Sequence, residues 1–217
     1  MVKRILDIAL AAPSLVVLAP VLMFIAIAVR LSTRGPVLYR GVRVGLNGKL
    51  FRVLKFRTMV VNAESLGGSC TSDDDARVTP IGRWLRKYKL DELLQLVNVL
   101  RGEMSFVGPR PEVQQYVDMF TDEEKQILSV RPGITDWATL WDSDEGAMLA
   151  GSQDPERTYL EKIRPGKIRL QLKYVRERSL WVDAKIILVT CGLVLTRCLG
   201  DKTGGDRWIQ HSLGKDL

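Results

Sequence analysis

Hydrophobic and polar positions follow three regimes along this chain. From Ile8 to Val29, 22 positions pass without a charged residue, which as a helix at about 1.5 Å per residue would cover roughly 33 Å, the depth of a bilayer core. The run predicts a membrane element. It is longer than the apolar stretch of a signal peptide, and Arg30 and Arg34 follow it where a cleavage site would stand. A simple span should leave one flank richer in Lys and Arg than the other. Here Lys3 and Arg4 precede the run, so both flanks are basic. Pro20 near the centre removes a backbone hydrogen bond, and Pro13 adds a second interruption. The preferred reading is a helix bent at Ala19-Pro20 that dips into one leaflet and returns both basic ends to the headgroups, with a straight span as the alternative.

The pattern then changes to short β-rich runs, Val37 to Val44 and Lys49 to Phe56, around Leu46-Asn47-Gly48. Asn-Gly suits a tight turn with positive φ, so a hairpin is expected. Further on, Leu90, Leu93, Leu94, Val97 and Leu100 recur at helical spacing, with Asp91 and Glu92 at the start and Arg101-Gly102 as a stop. Asp154-Pro155-Glu156 opens another helix, which Pro165-Gly166 is expected to interrupt before the basic segment from Lys167 to Arg178. The apolar segment from Leu180 to Leu199 contains Asp183, Lys185 and Arg197, charges that suit a helix lying on the membrane or on the domain better than one crossing it. The expected fold is α+β: a re-entrant N-terminal helix, then a small helical domain with a β-hairpin and interfacial amphipathic helices. Its divisions are an anchor over 1–34, a catalytic domain over 35–199 and a flexible tail over 200–217.

Composition narrows the chemistry. The chain has 217 residues, three cysteines and one histidine, which suits one domain and excludes a disulfide framework, CxxC zinc sites and HExxH chemistry. Catalysis must fall to carboxylates, lysines, arginines and hydroxyls. The net charge is +7, and its distribution matters more than its sum. No acidic residue stands between Asp7 and Glu64, while the hairpin and its exit carry Arg40, Arg43, Arg52, Lys55 and Arg57. That asymmetry favours an anion-facing sheet over a merely solvated edge. Asp73-Asp74-Asp75 lacks the spacing of a calcium loop and reads as a solvated turn. Taken alone, Asp91 and Glu92 fit a helix-dipole role as well as a catalytic one. Pro109 and Pro111 restrict the backbone around Arg110, and Arg131-Pro132-Gly133 again sets a basic residue at a turn. Rigid guanidinium groups of this kind grip phosphate.

Four strings in this order resemble the bacterial sugar transferases, the monotopic phosphoglycosyl transferases: Lys55-Phe56-Arg57-Thr58-Met59, Leu90-Asp91-Glu92-Leu93-Leu94-Gln95-Leu96, Met104 to Pro111 and Arg131 to Thr135. The resemblance covers roughly residues 3 to 137. It implies transfer of a sugar-1-phosphate from a UDP-sugar to polyprenyl (undecaprenyl) phosphate through a covalent aspartyl intermediate, with release of UMP and with Mg²⁺. Carried over, Asp91 is the nucleophile and a metal contact, and Glu92 its partner in proton or metal handling. Arg86 and Arg110 bind phosphate, with Arg43, Lys55, Arg57 and Arg131 as further lining residues. The implied location is the bacterial inner membrane with the site facing the cytoplasm, among inner-membrane lipids, and a homodimer stays open. The chain departs from the family pattern at Ala19, where Ser often precedes the bend proline, and after Thr135, where Asp136-Trp137 leads into Trp141 to Glu145. The alternative function is a non-catalytic membrane-tethered module binding anionic lipid or nucleic acid. Nucleic acid is disfavoured because few aromatics are interleaved with the basic residues.

Overall fold

A computed structural model describes residues 1–68, 70–142 and 145–198. The expected mobile tail over 200–217 lies outside the described residues. Val2–Ser32 form one helix, α1, whose helical run continues through Pro13 and Pro20. Its inner stripe is Asp7, Ala11, Leu15, Leu18, Leu22, Ile25 and Val29, spaced by three or four residues as one helical face requires. The outer face is apolar and open, with Val16 74% and Val17 75% exposed.

Both ends of α1 are tied to the same folded unit. Arg4 donates to the carbonyls of Val99 and Leu100 at 2.5 and 2.9 Å. Asp7, the acid that precedes the apolar run, is buried and accepts from Ser105 Oγ and the Phe106 N–H at 3.0 and 3.1 Å. At the far end, Ile25 and Val29 pack with Phe56 and Leu85. A helix of 31 residues is about 46 Å long, so α1 lies along the domain and contributes to two of its apolar clusters.

The hairpin forms where the Asn-Gly pair places it. Strands β1 (Leu38–Val44) and β2 (Leu50–Phe56) pair antiparallel, from Leu38 opposite Phe56 to Val44 opposite Leu50. Asn47 and Gly48 take φ of 54° and 76°. Helix α2 (Pro80–Lys87) is capped by the Thr79 hydroxyl, which accepts the Gly82 N–H at 3.0 Å. The single helix expected from Leu90 is split: Lys89 adopts φ 55°, Leu90–Glu92 form a 3-10 turn, and α3 runs only over Gln95–Arg101 before Gly102 at φ 81°. The Glu92 N–H bonds Lys89 O and the Leu93 N–H bonds Leu90 O, a three-residue repeat that tightens the chain ahead of α3.

Short strands β3 (Ser105–Val107) and β4 (Gly133–Thr135) pair in parallel. Toward the C-terminus, Pro165-Gly166 does not interrupt the helix as expected. A π-helical turn, Tyr159–Ile163, leads directly into α4 (Arg164–Glu177), and Pro165 occupies its first turn, where no backbone donor is needed. Helix α5 (Leu180–Cys198) buries Ile186, Val189 and Leu193 against Val107, Trp137, Leu140 and Tyr174. Its opposite side exposes Trp181 and Leu188. Lys3 of α1 pairs with Asp183 of α5 at 2.5 Å, which joins the starts of the two long apolar helices.

Candidate active site

Two close backbone approaches position the site. A Cβ at Gly82 would come within 2.0 Å of the Thr58 carbonyl, so only glycine lets α2 settle onto the exit of β2. One turn later the Arg86 Nε–H donates to Thr58 Oγ1 at 2.9 Å. In the same way a Cβ at Gly133 would meet the Gly108 nitrogen at 2.1 Å. This holds β4 against the start of the Pro109-Arg110-Pro111 segment.

These elements converge on the 3-10 turn. Glu92 Oε1 accepts from Lys55 Nζ at 2.6 Å and from Arg110 Nη2 at 2.5 Å, while its Oε2 accepts from Arg110 Nη1 at 3.1 Å. The bidentate pair fixes the Arg110 guanidinium plane, and the shared carboxylate joins β2, the turn and the Pro-Arg-Pro segment. Asp91 is buried, and among the described residues no donor hydrogen-bonds its carboxylate. Its electrostatic neighbours are Glu92, Lys55, Arg86 and Lys89.

The two carboxyls are pushed in opposite directions. Burial raises Asp91, and the charge of Glu92 raises it further against the pull of Lys55 and Arg86. Burial also resists ionisation of Glu92, but Arg110 and Lys55 outweigh it and hold that carboxyl well below its usual range. Burial lowers the Lys55 ammonium despite Glu92 beside it. Arg86 is likewise lowered by burial, against the attraction of Asp91 and Asp75. The result is a carboxyl group without hydrogen-bonded partners next to Lys55, Arg86 and Lys89, and Arg86, which bonds Thr58 through Nε alone, keeps its remaining N–H donors. An anionic substrate entering here would meet preset positive charge, and the free carboxylate could reach its phosphorus.

The structure brings Asp91, Glu92, Lys55, Arg86 and Arg110 together. Arg57 stands elsewhere: its guanidinium is buried and donates to Thr33 O, Thr33 Oγ1 and Arg34 O at 3.0, 2.7 and 2.8 Å, which caps the C-terminal end of α1. Its charged neighbour is Arg30, which together with burial lowers it. Arg131 donates Nε–H to the Gly102 carbonyl at 2.9 Å, at the far end of α3 from the carboxylates. Arg43 shares a hairpin face with Lys55 but stands four residues further along β1, about 13 Å away at strand spacing.

Several charged groups beside Arg110 were not singled out by sequence reasoning. Lys167 is buried and pairs with Glu112 at 2.7 Å and Glu145 at 3.7 Å. Both acids also act on Arg110. Asp142 is buried against Glu145, and burial, followed by the charge of Glu145, pushes its carboxyl up to about 8. These residues come from separate segments with no shared motif. The one sequence signal was the acidic stretch after Trp141.

The fold lays a long apolar helix, long and apolar enough to cross a membrane, along a small α+β unit that holds a buried carboxylate among cationic side chains. The chain matches the bacterial sugar transferase family over residues 1–197 and belongs to it. It is 38% identical over 193 residues to the UDP-glucose:undecaprenyl-phosphate glucose-1-phosphate transferase of Escherichia coli K12, covering 88% of this chain and 39% of that protein. It is 40% identical over 195 residues to an undecaprenyl-phosphate glucose phosphotransferase of Komagataeibacter xylinus, covering 87% and 35%. An Aeromonas hydrophila protein named for transfer of N-acetylgalactosamine phosphate is 36% identical, covering 90% and 44%. The chain thus spans about two fifths of the length of these relatives.

Proposed function

We propose that this chain transfers a sugar-1-phosphate from a UDP-sugar to undecaprenyl phosphate at the cytoplasmic face of the bacterial inner membrane. The observation that carries the reading is the Asp91 carboxylate, buried and without a hydrogen-bonded partner, beside a Glu92 whose oxygens are held by Lys55 and Arg110. In the first step an Asp91 oxygen attacks the sugar-bearing β-phosphorus. The bond from that phosphorus to the bridging oxygen breaks, UMP leaves with the bridging oxygen, and an acyl phosphate carries the sugar on Asp91. In the second step a phosphate oxygen of the lipid acceptor attacks the same phosphorus and releases Asp91. The products are UMP and a lipid pyrophosphoryl sugar.

Lys55, Arg86 and Arg110 lower the repulsion between carboxylate and pyrophosphate and stabilise charge on the transferred oxygens. Glu92 keeps Lys55 and Arg110 aligned through its ion pairs. The donor set also suits Mg²⁺, which is commonly held by one or two carboxylates together with substrate phosphates: Asp91 is the residue that would hold it, and the ion would supply further charge neutralisation. Among the described residues no cluster of three or more acidic, His or Cys side chains forms a closed cage. In this reading α1 lies in one leaflet. Support comes from its length and apolar outer face, and from the attachment of both its ends to the same domain, since a straight span would carry one end away across the bilayer.

Asp91→Asn keeps the shape and removes the nucleophile. UMP release from a UDP-sugar by membrane fractions should fall at least about 10³-fold, and labelled donor should leave an adduct that maps to the Asp91 peptide of the wild type alone. Turnover retained in Asp91→Asn would sink the assignment.

A further inference from the structure

The other face of the hairpin carries a second basic region. Arg40 pairs with Leu54 and Val42 with Arg52 in the strand register, so both arginines sit on the side opposite Lys55. Together with Leu38, Leu54, Arg101 and Glu103, they line a pocket of about 400 Å³. Among the described residues no hydrogen bond or ion pair engages the guanidinium of Arg40, Arg52 or Arg101. Glu103 is the acid of the lining, and it accepts from Asn98 Nδ2 at 2.7 Å. Asn98 is fully buried, donates to Arg52 O at 2.8 Å and accepts the Leu54 N–H at 2.9 Å, so the floor of the pocket is fixed.

Three guanidinium groups facing one carboxylate leave a net positive concavity. Such self-repulsion is relieved by a bound anion, and the planar forks suit phosphate oxygens. The surroundings point to where that phosphate comes from. Leu38 packs in the cluster of Ile25 and Val29 near the end of α1. Arg101 follows Leu100, whose carbonyl is held by Arg4 in the first turn of α1. Each wall of the pocket is therefore tied to one end of the apolar helix. The same hairpin face leaves Val42 50% and Leu50 60% exposed, and apolar tips alternating with arginines suit the depth where acyl chains meet headgroups.

We propose that this pocket binds the phosphodiester of an anionic phospholipid headgroup, as a phosphate site separate from the Asp91 cluster. The inference goes beyond the transferase reading and needs only that α1 lies at a membrane. The test uses the full chain with Arg40→Gln, Arg52→Gln and Arg101→Gln combined, and measures partition onto vesicles of phosphatidylcholine alone or in equal parts with phosphatidylglycerol. Each basic residue near an anionic surface contributes about fivefold at low salt, so the triple variant should lose at least about tenfold of the phosphatidylglycerol-dependent binding. Its melting temperature should not fall, because these side chains have no hydrogen-bonded partner to lose and their mutual repulsion is removed with them. A control triple at exposed positions, Lys162→Gln, Arg169→Gln and Arg178→Gln, should lose much less. Unaltered lipid binding in the first triple, or equal loss in the control, overturns the proposal. So does saturation of the pocket by inorganic phosphate without vesicles, if the first triple abolishes it, because that result assigns a soluble ligand. UMP release in detergent is read separately: it should stay within about twofold of wild type, since truncation of a surface group outside a site has little effect, and its collapse would place the pocket inside the active site.

Discussion

The two faces of one hairpin use the same residue types to opposite ends. On the Lys55 side the carboxylate of Glu92 binds both Lys55 and Arg110. On the Arg40 and Arg52 side the guanidinium groups share a pocket with one acid that is already engaged by Asn98. Lys55 on the compensated face is half-buried and held in one geometry by Glu92, as the proposed transfer at phosphorus would require. On the uncompensated face Arg40 and Arg52 are exposed and keep their charge available. A stretch that reads as one basic sheet in the sequence is therefore two electrostatic environments, separated by the pleat alone.

Perturbing the compensated face should have the largest effect. Arg110→Ala leaves Glu92 with Lys55 as its remaining ion-pair partner, and should lower turnover about 10²- to 10³-fold with a stability loss of about 2–4 kcal/mol. UMP release and denaturant unfolding check both. Arg110→Lys should recover much of the stability and less of the activity, because an ammonium cannot restore the bidentate fork.

Asp142 sharpens the comparison through pH. Its folded carboxyl is raised to about 8, against an unfolded value of about 3.9. The fold therefore favours the protonated form, and this contribution is complete below the unfolded value and is lost as pH climbs to about 8. Asn mimics the protonated carboxyl. Asp142→Asn should gain stability relative to wild type progressively across that interval, by up to about 1.4 kcal/mol per pH unit, and level above it. Melting temperatures across the range measure the gain, and a constant difference would show that Asp142 titrates normally.

Smaller effects are expected where arginines have structural partners. Arg57→Ala removes the cap of α1 and should cost about 1–3 kcal/mol, with a modest effect on UMP release in detergent. Proteolysis near Thr33 would report the loosened junction. Arg131→Gln should change turnover less than about twofold, as expected for a surface substitution, because its partner is the Gly102 carbonyl beyond α3. A large loss in kcat would return Arg131 to the phosphate site.

Local patterns in the sequence were enough for the apolar helix and the Asn-Gly hairpin, because periodicity and turn chemistry each act over a few residues, while the candidacy of Asp91, Glu92, Lys55, Arg86 and Arg110 came with the family resemblance. Neither could divide the arginines. Arg57 sits in the same motif as Lys55, two residues further on, yet it lies past the end of β2, where the carbonyls at the end of α1 take its guanidinium as a helix cap. Arg131 repeats the turn logic of Arg110, yet bonds a carbonyl at the opposite end of α3. Likewise Glu112, Glu145 and Lys167 meet only when α4 folds back against the Pro-Arg-Pro segment. What a charged side chain does depends on which opposite charge or carbonyl lies within a few ångströms of it. That distance is set between segments far apart in the chain, so residue identity was written in the sequence and charge partnership was decided by the tertiary structure.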